Sequence, residues 1–285
     1  MPDTHAVPFG DIGALEQKLV TRKIAAFIVE PIQSEAGIRI PPASYLAEAQ
    51  ALCERYGTLF VLDEVQTGMF RTGAFLAAHH YGVEPDMVIL AKALSGGLIP
   101  AGALLMTDAV YESVYDSLKR AIVHTSTFSE NSLAMRAGLA TLDVLEGGRL
   151  GQRGLEAGER LRRRLRGELC GYEMVQEIRG QGMLSGISFQ PPRSLRLRVS
   201  FEAFQRIHPG LFGQVVVMRM FRDKDTLTQI CGNNFMVLKA APPLTVSEAE
   251  LDRFVIAVRE VMEEIHSSSG FWTEALGMAR RAVNI

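Results

Sequence analysis

The chain has 285 residues, enough for one large or two ordinary domains, and its 47% hydrophobic and 22% charged content is that of a soluble globular protein. A formal net charge of -2 provides no electrostatic footprint for nucleic acid or an anionic membrane. No apolar run approaches the ~20 residues of a membrane span, and the opening MPDTHAVPFGDIG has neither a basic nor an apolar leader region. Three widely spaced cysteines, Cys53, Cys170 and Cys231, form no metal knuckle and suit a reducing compartment, so a cytoplasmic protein is expected.

In chain order, the first elements are three apolar runs: IAAFIVE (Ile24 to Glu30), TLFVLDE (Thr58 to Glu64) and DMVILAK (Asp86 to Lys92). Their apolar residues are continuous rather than alternating, as in parallel strands covered on both faces. Between the first two, Tyr45, Leu46, Ala49, Leu52, Cys53 and Tyr56 share one helical face and Gly57 closes the helix, which completes a βαβ unit. A loop and a short helix fit before the third run, and PAGALLMTD (Pro100 to Asp108) predicts a further strand.

Asn131 to Arg166 reads as two long helices interrupted by EGGRLG. The basic stretch RLRRRLRG within it has Leu161 and Leu165 at helical spacing, the pattern of a solvated helix face. YEMVQEIRGQGMLSGISF is predicted as two extended runs joined by a tight turn; it lacks the third glycine of a nucleotide loop, since Ser185 stands there. GQVVVMRMF and NFMVLKAAPPLTV are predicted as strands. SEAELDRFVIAVREVMEEIHSS is predicted as a helix with a capping box of Ser247 and Glu250, and the tail from SSSGFW onward as a loosely held extension. The fold class is therefore α/β, with a mainly parallel sheet in residues 1–150 and a C-terminal α+β unit in 151–285.

Ligands of open α/β sheets bind outside the carboxyl ends of the strands. There the three runs place Glu30, Asp63 and Lys92, although strand ends also carry charge simply because they emerge into water. A lysine and an aspartate on one rim suit an imine-forming amine beside a carboxylate that keeps a pyridine nitrogen protonated. His79, His80 and His124 have no metal-ligand spacing.

FIVEPIQSEAGI, FVLDEVQTGMFRTG, VILAKALSGG and HTSTFSEN, in this order, resemble the class III, fold-type I, pyridoxal-phosphate-dependent aminotransferases, and the likeness extends through EIRGQGMLSGI to VLKAAPPLTV. The resemblance implies a partial large domain followed by the small domain of that fold. It makes Lys92 the Schiff-base lysine and proton carrier, and Asp63 the partner of the pyridinium nitrogen. Val65 would pack on the ring, Gln66 would hydrogen-bond the ring hydroxyl, and Thr127 with Ser126 would reach the cofactor phosphate of a neighbouring subunit. A homodimer with shared active sites follows, acting on an amine and a keto acid or aldehyde.

Glu35 matches an acid that some members use as a gate paired with an arginine. Many members carry an arginine where this chain has Lys239, in LKAAPPL, and a lysine lacks the planar two-toothed grip of a guanidinium on a carboxylate. Either Lys239 is a plain strand-edge lysine, or a terminal amine or diamine is a better donor than glutamate. Members also carry, before the strand matching IAAFIVE, a segment that cradles the cofactor phosphate and has no counterpart in this sequence; either this is the latter part of a longer or split enzyme, with a partner segment supplying the cradle, or the free chain binds cofactor poorly. Two other readings remain at this stage: a non-catalytic remnant or association module, and a decarboxylase or aminomutase of the same family.

Overall fold

A computed structural model of the chain describes residues 3–267, 270–274 and 276–277. The chain divides into two compact units, one of the residues up to Ile32 with Ile40–Gln152, the other of Gln33–Arg39 with the chain from Arg153 onward. No helix among the described residues is long and apolar enough to cross a membrane.

The first unit is built on strands β1 (Ala26–Val29), β2 (Leu59–Asp63), β3 (Met87–Leu90) and β4 (Ala103–Met106), in the order β1-β2-β3-β4. The first three are parallel and β4 runs antiparallel to β3. Around them lie α1 (Ile12–Leu19), α2 (Tyr45–Tyr56), α3 (Ala78–Tyr81), α4 (Asp108–Val114) and α5 (Ser132–Gly147). Helix α2 forms where the sequence predicts it, burying Tyr45, Leu46, Ala49 and Cys53 and ending at Gly57 with φ +72. Its buried face joins Leu15, Leu19, Phe60 and Leu62 in the unit's core. The unbroken apolar runs predict strands covered on both faces; Leu62, Val88 and Leu90 are so covered, whereas Ile28 is 63% and Leu105 48% exposed.

In the second unit, β5 (Val175–Gln181), β6 (Leu184–Phe189), β7 (Gln229–Cys231) and β8 (Val237–Ala240) form an antiparallel sheet in the order β5-β6-β8-β7. Helices α6 (Leu150–Leu169), α7 (Leu195–Ile207), α8 (Leu211–Lys224) and α9 (Glu248–Ser267) supply the rest of its core. The extended runs predicted around Gly180 are the β5–β6 hairpin. The capping box is present: Ser247 N donates to Glu250 Oε2 at 2.8 Å and Glu250 N donates to Ser247 Oγ at 3.3 Å.

Two expectations are corrected. GQVVVMRMF is not a strand but lies within α8, because Phe212, Val215, Val216 and Met220 recur at helical spacing and all are buried. The tail is not wholly loose: Phe271 and Trp272 are 2% and 5% exposed, and Trp272 packs on Phe204 with ring centroids 4.9 Å apart. The remainder of the tail falls largely outside the described residues.

Candidate active site

Because β1, β2 and β3 are parallel, the residues that follow them share one edge of the first sheet. Glu30 stands directly after β1, Asp63 is the last residue of β2, and Lys92 comes two residues after β3. Asp63 pairs with Ile89 in register, and Glu64 N continues the ladder by donating to Ile89 O at 3.0 Å. The half-buried Asp63 carboxylate accepts from Val65 N through Oδ1 at 3.0 Å, which turns the chain.

Lys92 opens a single 3-10 turn, Lys92–Ser95, closed by Gly96 at φ +66. Its own φ is +47. A non-glycine residue in that region costs about 1–3 kcal/mol, and such conformations persist where surrounding structure imposes them. Here α5 supplies that restraint: a Cβ on its Gly138 would stand 3.5 Å from Leu94 O, and one on Gly96 would stand 3.1 Å from Thr141 Oγ1. The lysine is exposed, so its amine leaves the strand for solvent and does not pay the desolvation that a buried ammonium would.

Next to Asp63, Glu64 is a buried carboxylate that no motif singled out. It is 1% exposed. Its carboxylate accepts from Thr67 Oγ1 at 2.5 Å, from Ala77 N at 3.0 Å and from Ala78 N at 2.8 Å. Burial raises its pKa, against the opposing effect of those hydrogen bonds and of His79. Glu64 thereby pins the turn carrying the half-buried Val65 and Gln66 to the start of α3. The available signal was a second acid directly after a buried strand.

Ser126 and Thr127 lie on an exposed loop before α5. Ser126 N donates to Ser129 Oγ at 2.8 Å, and Asn131 caps α5 by accepting from Leu133 N and Ala134 N. Neither residue is placed against Asp63 or Lys92 by a described hydrogen bond.

Within the second unit, Lys239 is 8% exposed on β8, which lies between β6 and β7, so it is not a sheet-edge lysine. Its Nζ donates to Glu35 Oε1 at 2.5 Å, and Gln229 Nε2 donates to Glu35 Oε2 at 3.2 Å. Glu35 belongs to the segment Gln33–Arg39, whose ends bond each other (Gln33 N to Arg39 O, 3.0 Å; Arg39 N to Gln33 O, 2.9 Å). Gly232 N holds the segment's middle by donating to Glu35 O at 2.8 Å. Lys239 also lines a cavity of about 570 Å³ whose walls include Thr228, Pro242, Pro243 and Phe254. Beside this pair, burial pushes the Cys231 thiol up to about 11, with Lys239 opposing and Glu35 adding to the shift.

A sequence model of the class-III aminotransferases matches residues 4–262. Among similar proteins, one of Schizosaccharomyces pombe described as an uncharacterized aminotransferase is 37% identical over 91% of this chain and 52% of its own length. The putrescine aminotransferase of Pectobacterium atrosepticum is 35% identical over 94% of this chain and 54% of its length. Among solved structures, an ornithine aminotransferase of Toxoplasma gondii, described with pyridoxal phosphate partially occupying its active site, superposes with a TM-score of 0.80. It is 30% identical, and the match covers 93% of this chain and 57% of that one. The chain thus spans about half the length of the curated relatives named here, and it belongs to the class-III aminotransferase family.

Proposed function

We propose that this chain carries the catalytic lysine and ring partners of a pyridoxal-phosphate enzyme that moves an amino group from an amine to a keto acid or aldehyde. The observation that carries the reading is the placing of Asp63 and Lys92 at the carboxyl ends of neighbouring parallel strands. One is a carboxylate held by its own turn, the other an exposed amine on a strained backbone. These residues fit the ring end of the cofactor, which when bound supplies an electron sink for a breaking C–H bond. Asp63 would keep the ring nitrogen protonated, Val65 would pack on the ring and Gln66 would hydrogen-bond the ring hydroxyl. Lys92 would hold the cofactor and would carry the proton to and from the substrate carbon.

The donor in this reading is a terminal amine or diamine, because the ammonium that could meet a substrate α-carboxylate is already engaged by Glu35. The partner is a second copy of the chain. Leu98, Leu118, Ile122 and Phe128, all on the stretch before α5, are 81%, 96%, 79% and 83% exposed, and a second copy would cover them. Thr127, with Ser126, sits on the same exposed stretch and would serve the phosphate of that neighbour. A partner segment supplying the backbone cradle for the phosphate belongs to the same proposal, as does a cytoplasmic setting for three free cysteines.

The test is an absorbance spectrum of the chain with added pyridoxal phosphate, beside Lys92→Ala, followed by an amine series with Lys239→Arg. A visible band that borohydride bleaches, absent from Lys92→Ala, is the expected result. Its absence from both proteins would mean that this chain does not hold the cofactor without the partner segment; a chain that also dimerises while taking up no cofactor would leave the reading of a non-catalytic association module. A preference among glutamate, ornithine and diamines that Lys239→Arg does not change would overturn the choice of donor.

A further inference from the structure

Arg179, on β5, spends most of its guanidinium on two carbonyls of the Glu35 segment. Nε donates to Gly37 O and Ile38 O, each at 3.0 Å, Nη2 donates to Gly37 O at 2.5 Å, and Nη1 pairs with Glu177 at 2.7 Å. The two carbonyls belong to consecutive left-handed residues, Gly37 at φ +107 and Ile38 at φ +54. Glycine adopts that region freely, but a β-branched residue there is a true outlier. Ile38 is 0% exposed and lies so close to β6 that a Cβ on Gly186 would stand 2.9 Å from its Cγ1. The turn is therefore held by its donors and its packing rather than by local preference, and the chief donor is a guanidinium whose side chain is only 22% exposed.

Glu35 precedes this turn by two residues, and its carboxylate is where Lys239 ends. We propose that Arg179 is a positioning residue which, by fixing the Gly37–Ile38 turn, keeps Glu35 on Lys239 and so denies that ammonium to the carboxylate of an incoming amino acid. The inference rests on Lys239 and Glu35 being substrate-pocket residues. It assigns discrimination between carboxylate-bearing and carboxylate-free amines to a side chain that touches neither substrate nor cofactor. The Gln33–Arg39 bridge and the Gly232 N bond to Glu35 O do not depend on Arg179, so its loss loosens the turn without removing the segment from its place.

The experiment reads the lysine directly. Purified wild-type chain, Arg179→Met, Gly37→Ala and Glu35→Gln are treated with an amine-acylating reagent, and Lys239 modification is measured by peptide mass spectrometry against the exposed Lys23 as internal standard. Gly37→Ala attacks the same turn from the other side, because its Cβ would face Val237 Cγ2 at 3.1 Å and Arg179 Nη2 at 3.4 Å in a backbone conformation alanine disfavours. Arg179→Met and Gly37→Ala should each raise Lys239 labelling about tenfold, the scale of losing a charge-assisted hydrogen bond, with Glu35→Gln setting the ceiling. In active enzyme, the same variants should shift use from diamines toward α-amino acids. Wild-type labelling in both turn variants, with faster labelling in Glu35→Gln, would overturn the role of Arg179 and leave the pocket reading intact. Wild-type labelling in Glu35→Gln would overturn the pocket pair itself, and the inference with it. Faster labelling of Lys239 together with alkylation of the buried Cys231 by iodoacetamide in a parallel reaction would show that Arg179 holds the whole sheet rather than the turn, and would also overturn it.

Discussion

Asp63 and Glu64 are neighbours in sequence with opposite surroundings: Asp63 is half-buried on its own turn, and Glu64 is closed off against the start of α3. Desolvation is the largest influence on Glu64 and raises its pKa, so the folded chain keeps this proton to higher pH than the unfolded chain does. The stability from this group is therefore fully present below the ordinary carboxyl range, and it falls as pH rises through the raised value. Glu64→Gln removes that titration. The gap in unfolding free energy between wild type and Glu64→Gln should move against wild type as pH climbs from about 4.5 toward 7, and denaturant midpoints measured across that range check the sign. Lys92, Asp63, Val65, Gln66, Glu35 and Lys239 enter the proposed site by residue type and motif. Glu64 and Arg179 do not, because what distinguishes them is made by chain far away: the amides of α3 close on one, and the carbonyls of Gly37 and Ile38 draw in the other.

Among the elements, the parallel strands were legible because burial on both faces leaves an unbroken apolar run, and α2 because its period and its glycine stop agree. Helix α8 was not, since its valine run has strand-like composition and only the spacing of Phe212, Val215, Val216 and Met220 marks the helix. The packing of α6 was equally hidden. Gly158 sits within it, and propensity alone makes Gly→Ala in a helix worth roughly 1 kcal/mol of gain. A Cβ on Gly158, however, would run into the carbonyl of Gly182 at the β5–β6 turn, which is backbone and cannot swing aside. Arg162, 4% exposed, closes the same contact by donating to Gly182 O at 2.6 Å. Gly158→Ala should therefore destabilise the chain by about 1–3 kcal/mol or more, the cost of overpacking. An increase in thermal midpoint would refute this close approach of helix and hairpin.

Across the molecule, the chain passes from one compact unit to the other after Ile32, back after Arg39, and over again after Gln152. The change from βα alternation to helices and hairpins is what suggests a boundary near residue 150; the early excursion has no such sign, since FIVEPIQSEAGI reads as one continuous stretch. That excursion makes the second unit a composite of two separated pieces of chain, and so a natural case for fragment complementation. A polypeptide beginning at Arg153 would keep its sheet and helices but lose the cover that Gly37 and Ile38 give to Val237, Gly232 and Gly186. It should melt lower than the same unit in the whole chain, and a synthetic peptide spanning Gln33 to Arg39 should bind it and raise the midpoint. Arg179→Met in the fragment should weaken that binding, as followed by fluorescence anisotropy of the labelled peptide. A protease cut between Gln152 and Arg153, inside α6, would leave no peptide bond between the two fragments, and the Gln33–Arg39 segment, still tied to the first, would hold the second by packing alone.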